Sequence, residues 1–386
     1  MIDMKIKFKN YGCWGLNKDL ALIVVVLTSS LALFLFPGKV TSRGSVSVMA
    51  GVIQVEDHTK QIGVIRLGEQ KVKAKILRGR LKGRQITVTN KMIGHLMMDR
   101  PVAAGDRALF MLDLEGDTIK GAKLVDYDRQ TWHLIMFIIF AGILILFARF
   151  TGLKAFVSFI FTIAVLIKIL LPAILKGYDP LFVCVSLAVL LASVTLLLIG
   201  GFRLRTLAAV IGVTMGMILS TILTVLAGQA MHVHGITIDF AVKLLFSGYS
   251  HLNLDRIFWG AVILSISGAL LDIAISSATT VAEVVKANPS LSRRKLISSG
   301  FAVGQAELGT MVSTLLLAYT GYSLFLILAL SATDISLTRF LNLSVVSAII
   351  LKVLAGGIGM VMVAPITAII AGLLYHRFHG KAVETV

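Results

Sequence analysis

Hydrophobic positions along the chain fall into long unbroken runs, interrupted by one stretch of quite different texture. The first run, Leu20 to Phe36, follows Lys5, Lys7, Lys9 and Lys18 and ends at Phe36-Pro37-Gly38-Lys39. No A-x-A cleavage site follows it, so it reads as an uncleaved membrane anchor rather than a signal peptide. From Val40 to Arg129 the period changes to two, as in Lys71-Val72-Lys73-Ala74-Lys75-Ile76 and Gln85-Ile86-Thr87-Val88-Thr89. Alternation of this kind predicts half-buried strands. About 90 residues carrying roughly five to seven strands predict a small closed barrel of the OB or SH3-like kind, because closure removes exposed edges.

After Trp132 the apolar runs return: Leu134 to Phe147, Ala155 to Leu175, Leu181 to Gly201, Leu207 to Ala230, Ile257 to Val285 and Ser299 to Tyr319. Most reach the ~20 residues needed to cross a hydrocarbon core. Gly321 to Ala332 and Leu343 to Leu354 are each about half a span, and Ala355-Gly356-Gly357 precedes the final run, Ile358 to Tyr375. Half-helices or re-entrant segments are expected there. The fold class expected is an all-α polytopic membrane protein of about eight or nine spans, with a β-rich domain inserted after the first transmembrane helix. Its domains would be residues 1–39 (N-terminus and anchor), 40–131 (β-rich domain) and 132–386 (helical membrane domain).

Composition agrees with that pattern. Of the 386 residues, 57% are hydrophobic and 15% charged, and the mean hydropathy is +0.90. Lipid is therefore part of the solvent. The net charge of +17 does not indicate nucleic acid, since the bases are scattered without a basic groove or an aromatic platform. Attraction to anionic lipid explains it more simply. The two cysteines, Cys13 and Cys184, define no disulfide framework. Basic residues in short loops stay cytoplasmic, and Arg149 with Lys154, Arg203 with Arg205, and Lys286 with Arg293, Arg294 and Lys295 fall in alternate loops. The expected topology has a cytoplasmic N-terminus and an extracytoplasmic β-domain. Arg377 and Lys381 favour a cytoplasmic C-terminus and hence an even number of spans.

Acids inside apolar runs carry the chemical information, because a charge at mid-bilayer costs at least about 2.5 to 3.5 kcal/mol on insertion scales. Asp272 and Glu307 are the two such acids. Ser265, Asp272, Ser276, Thr279 and Glu283 form one helical stripe about 60° wide, expected to face away from lipid. In the next run Gly300, Gly304, Glu307, Thr310 and Thr314 form a second, whose glycines permit close helix approach. Across the basic loop the two helices are antiparallel, so the two carboxyls could meet in one dry cavity and share a proton, the arrangement of a relay. Alternatively Ser, Thr and Gln305 satisfy both acids, which then merely pin helix packing. Lys168 near Pro172 is explained by snorkelling to the boundary. Lys352, one turn before the Gly356-Gly357 break, is a candidate counter-ion for Asp272 or Glu307, with a helix C-terminal carbonyl as the plainer partner.

His232, His234, Asp239, His251, Asn253 and Asp255 cluster in one outer loop and include zinc-ligand types, but match no zinc spacing and are read as loop solvation. The chain has no Walker A loop, dinucleotide fingerprint, G-x-S-x-G or H-E-x-x-H motif. No cofactor, catalytic residue or metal site is expected.

The segments Gly268-Ala269-Leu270-Leu271-Asp272-Ile273-Ala274, Asn288-Pro289, Ser299-Gly300 through Gly304, Gly309-Thr310-Met311, Thr314 to Tyr319 and Lys176-Gly177-Tyr178-Asp179-Pro180 resemble the YibE/F family of bacterial membrane proteins. The resemblance runs over the membrane region from about Gly152, with an extracytoplasmic β-domain of similar length and strand pattern. It implies the bacterial cytoplasmic membrane, an eight-span topology and a transport role. Asp272 matches the family pattern directly. The family commonly has an Arg-Asp pair after the glycine matching Gly304, where this chain has Gln305-Ala306, with Glu307 one position later.

Two functions compete at this level. One is a secondary permease or exporter of an unidentified small solute or ion, proton-coupled through Asp272 with Glu307 as partner. The other is a non-transporting envelope-assembly protein whose β-domain, through Lys71, Lys73, Lys75, Arg78, Arg80, Lys82 and Arg84, engages an anionic envelope polymer or lipid headgroups. A solvated strand face and hairpin is the plain account of that basic run. An intramembrane hydrolase lacks a recognisable nucleophile and base.

Overall fold

The structure is a computed structural model and describes residues 13–35, 45–96, 98–115, 118–237, 241–333 and 335–383. Lys5, Lys7, Lys9, the 36–44 stretch that ends the anchor, and Asp239 lie outside the described residues. The chain divides into two compact units, Gly38–Leu146 and Met1–Pro37 with Phe147–Val386.

The first unit is an antiparallel sheet. Its strands are β1 (Ser45–Asp57), β2 (Lys60–Ile62), β3 (Ile65–Ile76), β4 (Gln85–Ile93), β5 (Arg107–Glu115) and β6 (Thr118–Tyr127). β1 pairs with β3 and β5, β5 with β6, and β4 with the free side of β3. β2 keeps the β1–β3 register, since Asp57 faces Gln70 and Lys60 faces Leu67, so β1 and β2 form one hairpin arm broken at His58-Thr59. Asp57 holds that break by accepting from the Thr59 hydroxyl and amide and from Gln70. Those hydrogen bonds, the Thr59 hydroxyl foremost, keep its carboxyl below the usual carboxylate range.

The period-two pattern is realised on β3, where Lys71, Lys73 and Lys75 are exposed while Val72, Ala74 and Ile76 are buried. With Phe110 and Leu112 of β5 and Val88 of β4 they form one core. The expected closed OB or SH3-like barrel is instead an open half-barrel. β4 and β6 approach each other, yet among the described residues no ladder joins them. Closure depends on pairing between strands far apart in sequence, which local alternation does not specify.

The second unit is helical. α1 (Cys13–Leu35) packs against the later part of α2 (Gln130–Val165) and against α4 (Pro180–Gly200), through Ile23, Val26, Val157, Phe161 and Leu191. A π-turn, Leu166–Leu170, follows α2 and leads into α3 (Leu171–Leu175). Pro172 has no N–H to continue the α-helical ladder, which accounts for the irregular turn beside it. Then come α5 (Leu204–Ala230), α6 (Ala241–Phe246), α7 (Leu254–Ala287), α8 (Arg293–Tyr322), α9 (Leu324–Ser331), α10 (Leu337–Leu341) and α11 (Ser344–Val383).

Six of the described helical stretches are long and apolar enough to cross a membrane, while the apolar length of α1, Leu20–Leu35, falls short of that measure. Two pairs of expected runs are each continuous. Leu134 to Phe147 and Ala155 to Leu175 belong to one stretch, Gln130–Leu175, that leaves helical geometry at Arg149 (φ 49, ψ −124). Leu343 to Leu354, from Ser344 on, and Ile358 to Tyr375 belong to α11, so the break expected at Gly356-Gly357 does not exist. These glycines serve packing: a Cβ on Gly356 would lie 2.7 Å from Ile266 Cγ2. Of the two half-spans expected, Gly321 to Ala332 holds a short helix, α9, of 8 residues, whereas Leu343 to Leu354 opens the long helix α11.

Candidate functional site

α7 is the hub of the helical unit and packs on α4, α5, α8 and α11. Val262, Ile266, Leu270, Ile273, Ser277 and Val281, spaced three or four apart, are fully buried on it. α8 approaches through two glycines. A Cβ on Gly300 would come within 2.6 Å of Val281 Cγ2, and one on Gly304 within 2.7 Å of both Ser277 Oγ and Ala364 Cβ. The backbone of α8 therefore lies directly on α7 and α11.

One turn beyond Gly304, this contact carries Glu307 into the groove between α7 and α8. Asp272 stands on the facing helix within electrostatic reach of it. Farther along the same groove Tyr319 Oη donates to Ser265 Oγ at 2.9 Å. Glu307 is half-buried, and its Oε2 is fully covered with no hydrogen-bond partner among the described residues. Ser276 and Thr279 are half-buried on the α7 side. Thr310 and Thr314 are exposed, and their hydroxyls donate to their own helix, to Glu307 O and Thr310 O, each at 2.9 Å.

Asp272 corrects one expectation, since its side chain is exposed on the flank of the bundle and not enclosed in a dry cavity. α8 is the reason: among its described residues only Leu296, Gly300, Gly304 and Leu315 are buried, so it covers one side of the groove and leaves the other open. Three further residues are placed elsewhere. Gln305 is exposed and, two residues from Glu307, lies about 200° round the helix from it. Glu283 sits at the end of α7, where its Oε1 meets Lys286 Nζ at 2.5 Å and Arg205 at 3.9 Å. Lys352 rests over the Phe258 ring, 5.4 Å from its centre. Asp272 is 14 residues farther along α7, about 21 Å, so Lys352 is not its counter-ion.

The histidines between α5 and α7 also separate. His234 Nδ1 lies 3.2 Å from Asp255 Oδ2, and Asp255 Oδ1 accepts from Gly235 N at 2.7 Å. His251 instead borders Gly177. Among the described residues no group of three metal-ligating side chains forms. Asn253 caps α7 by accepting from Arg256 N.

The α5–α11 seam is a further close approach of helices, one that apolar length alone does not announce. Gly212 and Gly216 of α5 lie against Thr367 and Val363, and Ser220 lies against Gly359. The signal was present as small residues four apart, Gly212, Gly216, Ser220 and Thr224. Ser220, Ser277 and Thr367 have fully buried hydroxyls with no partner among the described residues.

Family models cover both units. The YibE/F-like protein model matches residues 136–377, and the YibE/F family N-terminal domain model matches residues 47–127. The chain belongs to the YibE/F family. No curated protein and no solved structure matches it. In this YibE/F chain the N-terminal match coincides with the β half-barrel, and the longer match contains the whole α7–α8 groove with Asp272 and Glu307.

Proposed function

We propose that this YibE/F protein is a secondary permease or exporter of the bacterial cytoplasmic membrane, coupling solute movement to a proton held by Asp272 and Glu307. The observation that carries the reading is two neighbouring acids on facing apolar helices, one with a covered, unpartnered oxygen. Neighbouring carboxyls hold one shared proton more readily than two charges, and acids persist in a membrane mainly where they are paired or at work. The test is flux in liposomes containing a pH-sensitive dye, across a panel of solute gradients, with and without an imposed pH gradient. At least one solute gradient should move protons, and a chain lacking residues 40–129 should retain part of that flux. A panel in which no solute moves protons and no pH gradient accumulates solute would sink the permease.

The second reading, an assembly protein whose β-domain holds an anionic envelope polymer, is favoured by the exposed row Lys71, Lys73 and Lys75 continued by Arg78 and Lys82. Loss of every activity in the 40–129 deletion, with normal insertion, would support it.

The proposed topology has eight crossings. Gln130–Leu175, with 46 residues, would be about 69 Å long if straight, twice the ~30 Å of a hydrocarbon core. Divided at Arg149, it supplies two crossings, and α1, α4, α5, α7, α8 and α11 supply six. Both termini and the Arg205–Glu283 end then face the cytoplasm, with the half-barrel outside. Single cysteines at Lys82 and Arg293, in a Cys13→Ser, Cys184→Ser background, should label from opposite sides of the membrane; labelling from one side overturns the topology.

A further inference from the structure

A cavity of about 460 Å3 lies at the end of the helical unit where α7 and α11 begin, beneath the short helix α6. Leu244 of α6 and Leu254, Ile257 and Phe258 of α7 give it an apolar wall, and two lysines, Lys243 and Lys352, line it as well. Among the described residues no carboxylate lines it. Among the described residues neither lysine makes an ion pair, and the interaction recorded for Lys352 is its stacking over Phe258. Gly235 brings the loop close enough to form the floor: a Cβ there would lie 2.0 Å from Leu254 O.

Lys352 is half-buried and eight residues inside α11, about 12 Å from its start. A cation at that depth is costly unless it meets an anion, and none of the described side chains supplies one. Lys243 is exposed at the mouth. The volume falls in the ~300–1,000 Å3 range of small-molecule sites. A cavity of this size accommodates one acyl chain of about a dozen carbons.

We propose that this cavity binds a single-chain anionic amphiphile, a fatty-acid-like carboxylate whose chain lies along Leu244, Leu254, Ile257 and Phe258 and whose head is held by Lys352 and Lys243. The site is distinct from the Asp272–Glu307 groove, about 21 Å away along α7, and does not rest on the permease reading.

Equilibrium binding to the full chain in nanodiscs tests it, with radiolabelled laurate as the probe and dodecanol and dodecyltrimethylammonium as competitors. Laurate should bind saturably, dodecanol should compete at least about tenfold more weakly, and the cationic amphiphile should not compete. Lys352→Met should weaken laurate about tenfold, and Lys243→Met, at the exposed mouth, about threefold. Lys352→Arg should retain binding, and Ile257→Trp, which fills the cavity while keeping both charges, should block it. Undiminished laurate binding in both Lys352→Met and Ile257→Trp overturns the proposal, as does dodecanol binding as tightly as laurate. Phosphatidylglycerol retained one-to-one, seen by native mass spectrometry, without saturable laurate binding would assign the cavity to bilayer lipid and equally overturn it.

Discussion

Asp272→Asn is expected to reduce solute-driven proton flux to the level of empty liposomes while leaving the protein as stable and as abundant in the membrane as the parent chain. The Asp272 side chain is exposed on the bundle flank and, among the described residues, makes no hydrogen bond or ion pair. Its replacement by a neutral amide of the same shape therefore removes no packing and no hydrogen bond made among the described residues, and the stability change should stay within about 0.5 kcal/mol, as for surface substitutions generally. The group to which the permease proposal assigns the proton, however, is gone. Asp272→Glu keeps that group one methylene farther out, on a side of α7 with room for it, and should retain part of the flux. A purely structural role predicts the reverse order, with Asn a good substitute and Glu a poor one. Flux per inserted molecule, compared for both variants, separates the two. Full activity in Asp272→Asn would falsify the proton assignment.

Local pattern in the sequence was enough to locate elements and insufficient to close or join them. Alternation along Lys71 to Ile76 predicted which face of β3 is buried, because a strand's side chains have only two faces to choose between. The half-barrel's open edge was hidden, because it depends on β4 and β6, more than twenty residues apart. Apolar length located the long helices, and the turn of the helix placed Asp272, Ser276 and Thr279 on one stripe. What that stripe faces was not legible. The answer depends on how far α8 wraps around α7, and this is set by Gly300 and Gly304 meeting Val281, Ser277 and Ala364. Lys352 was misassigned for a related reason: depth in the membrane can be counted from sequence, but the azimuth that turns it toward Phe258 comes from packing. The cavity beneath α6 left no periodic trace at all, since it is assembled from a 6-residue helix, the first turns of α7 and one side chain of α11.

Gly356 and Gly357 are adjacent in sequence and are expected to respond in opposite ways to the same substitution. Read locally, Ala355-Gly356-Gly357 breaks a helix, and a leucine at either position would then disturb the same break. In the structure α11 runs unbroken from Ser344 to Val383, and its two glycines point to different surroundings. A Cβ on Gly356 would come within 2.7 Å of Ile266 Cγ2 and 3.1 Å of Leu315 Cδ2, whereas one on Gly357 would meet nothing within 4 Å. Ile266 is itself fully buried in the bundle core, so a larger residue at 356 has to push α7, α8 and α11 apart. Overpacking of a tight core costs about 1–3 kcal/mol and sometimes more, and Gly356→Leu should lie at or beyond the upper end. Gly357→Leu adds a good helix former in open space and removes a glycine that costs a helix interior up to ~1 kcal/mol, so it should leave stability unchanged or raise it slightly. Thermal unfolding of both variants in the same detergent, read by tryptophan fluorescence, gives the comparison. Equal destabilisation by the two leucines would mean that α11 is hinged at this point, and would remove the packing account of its glycines.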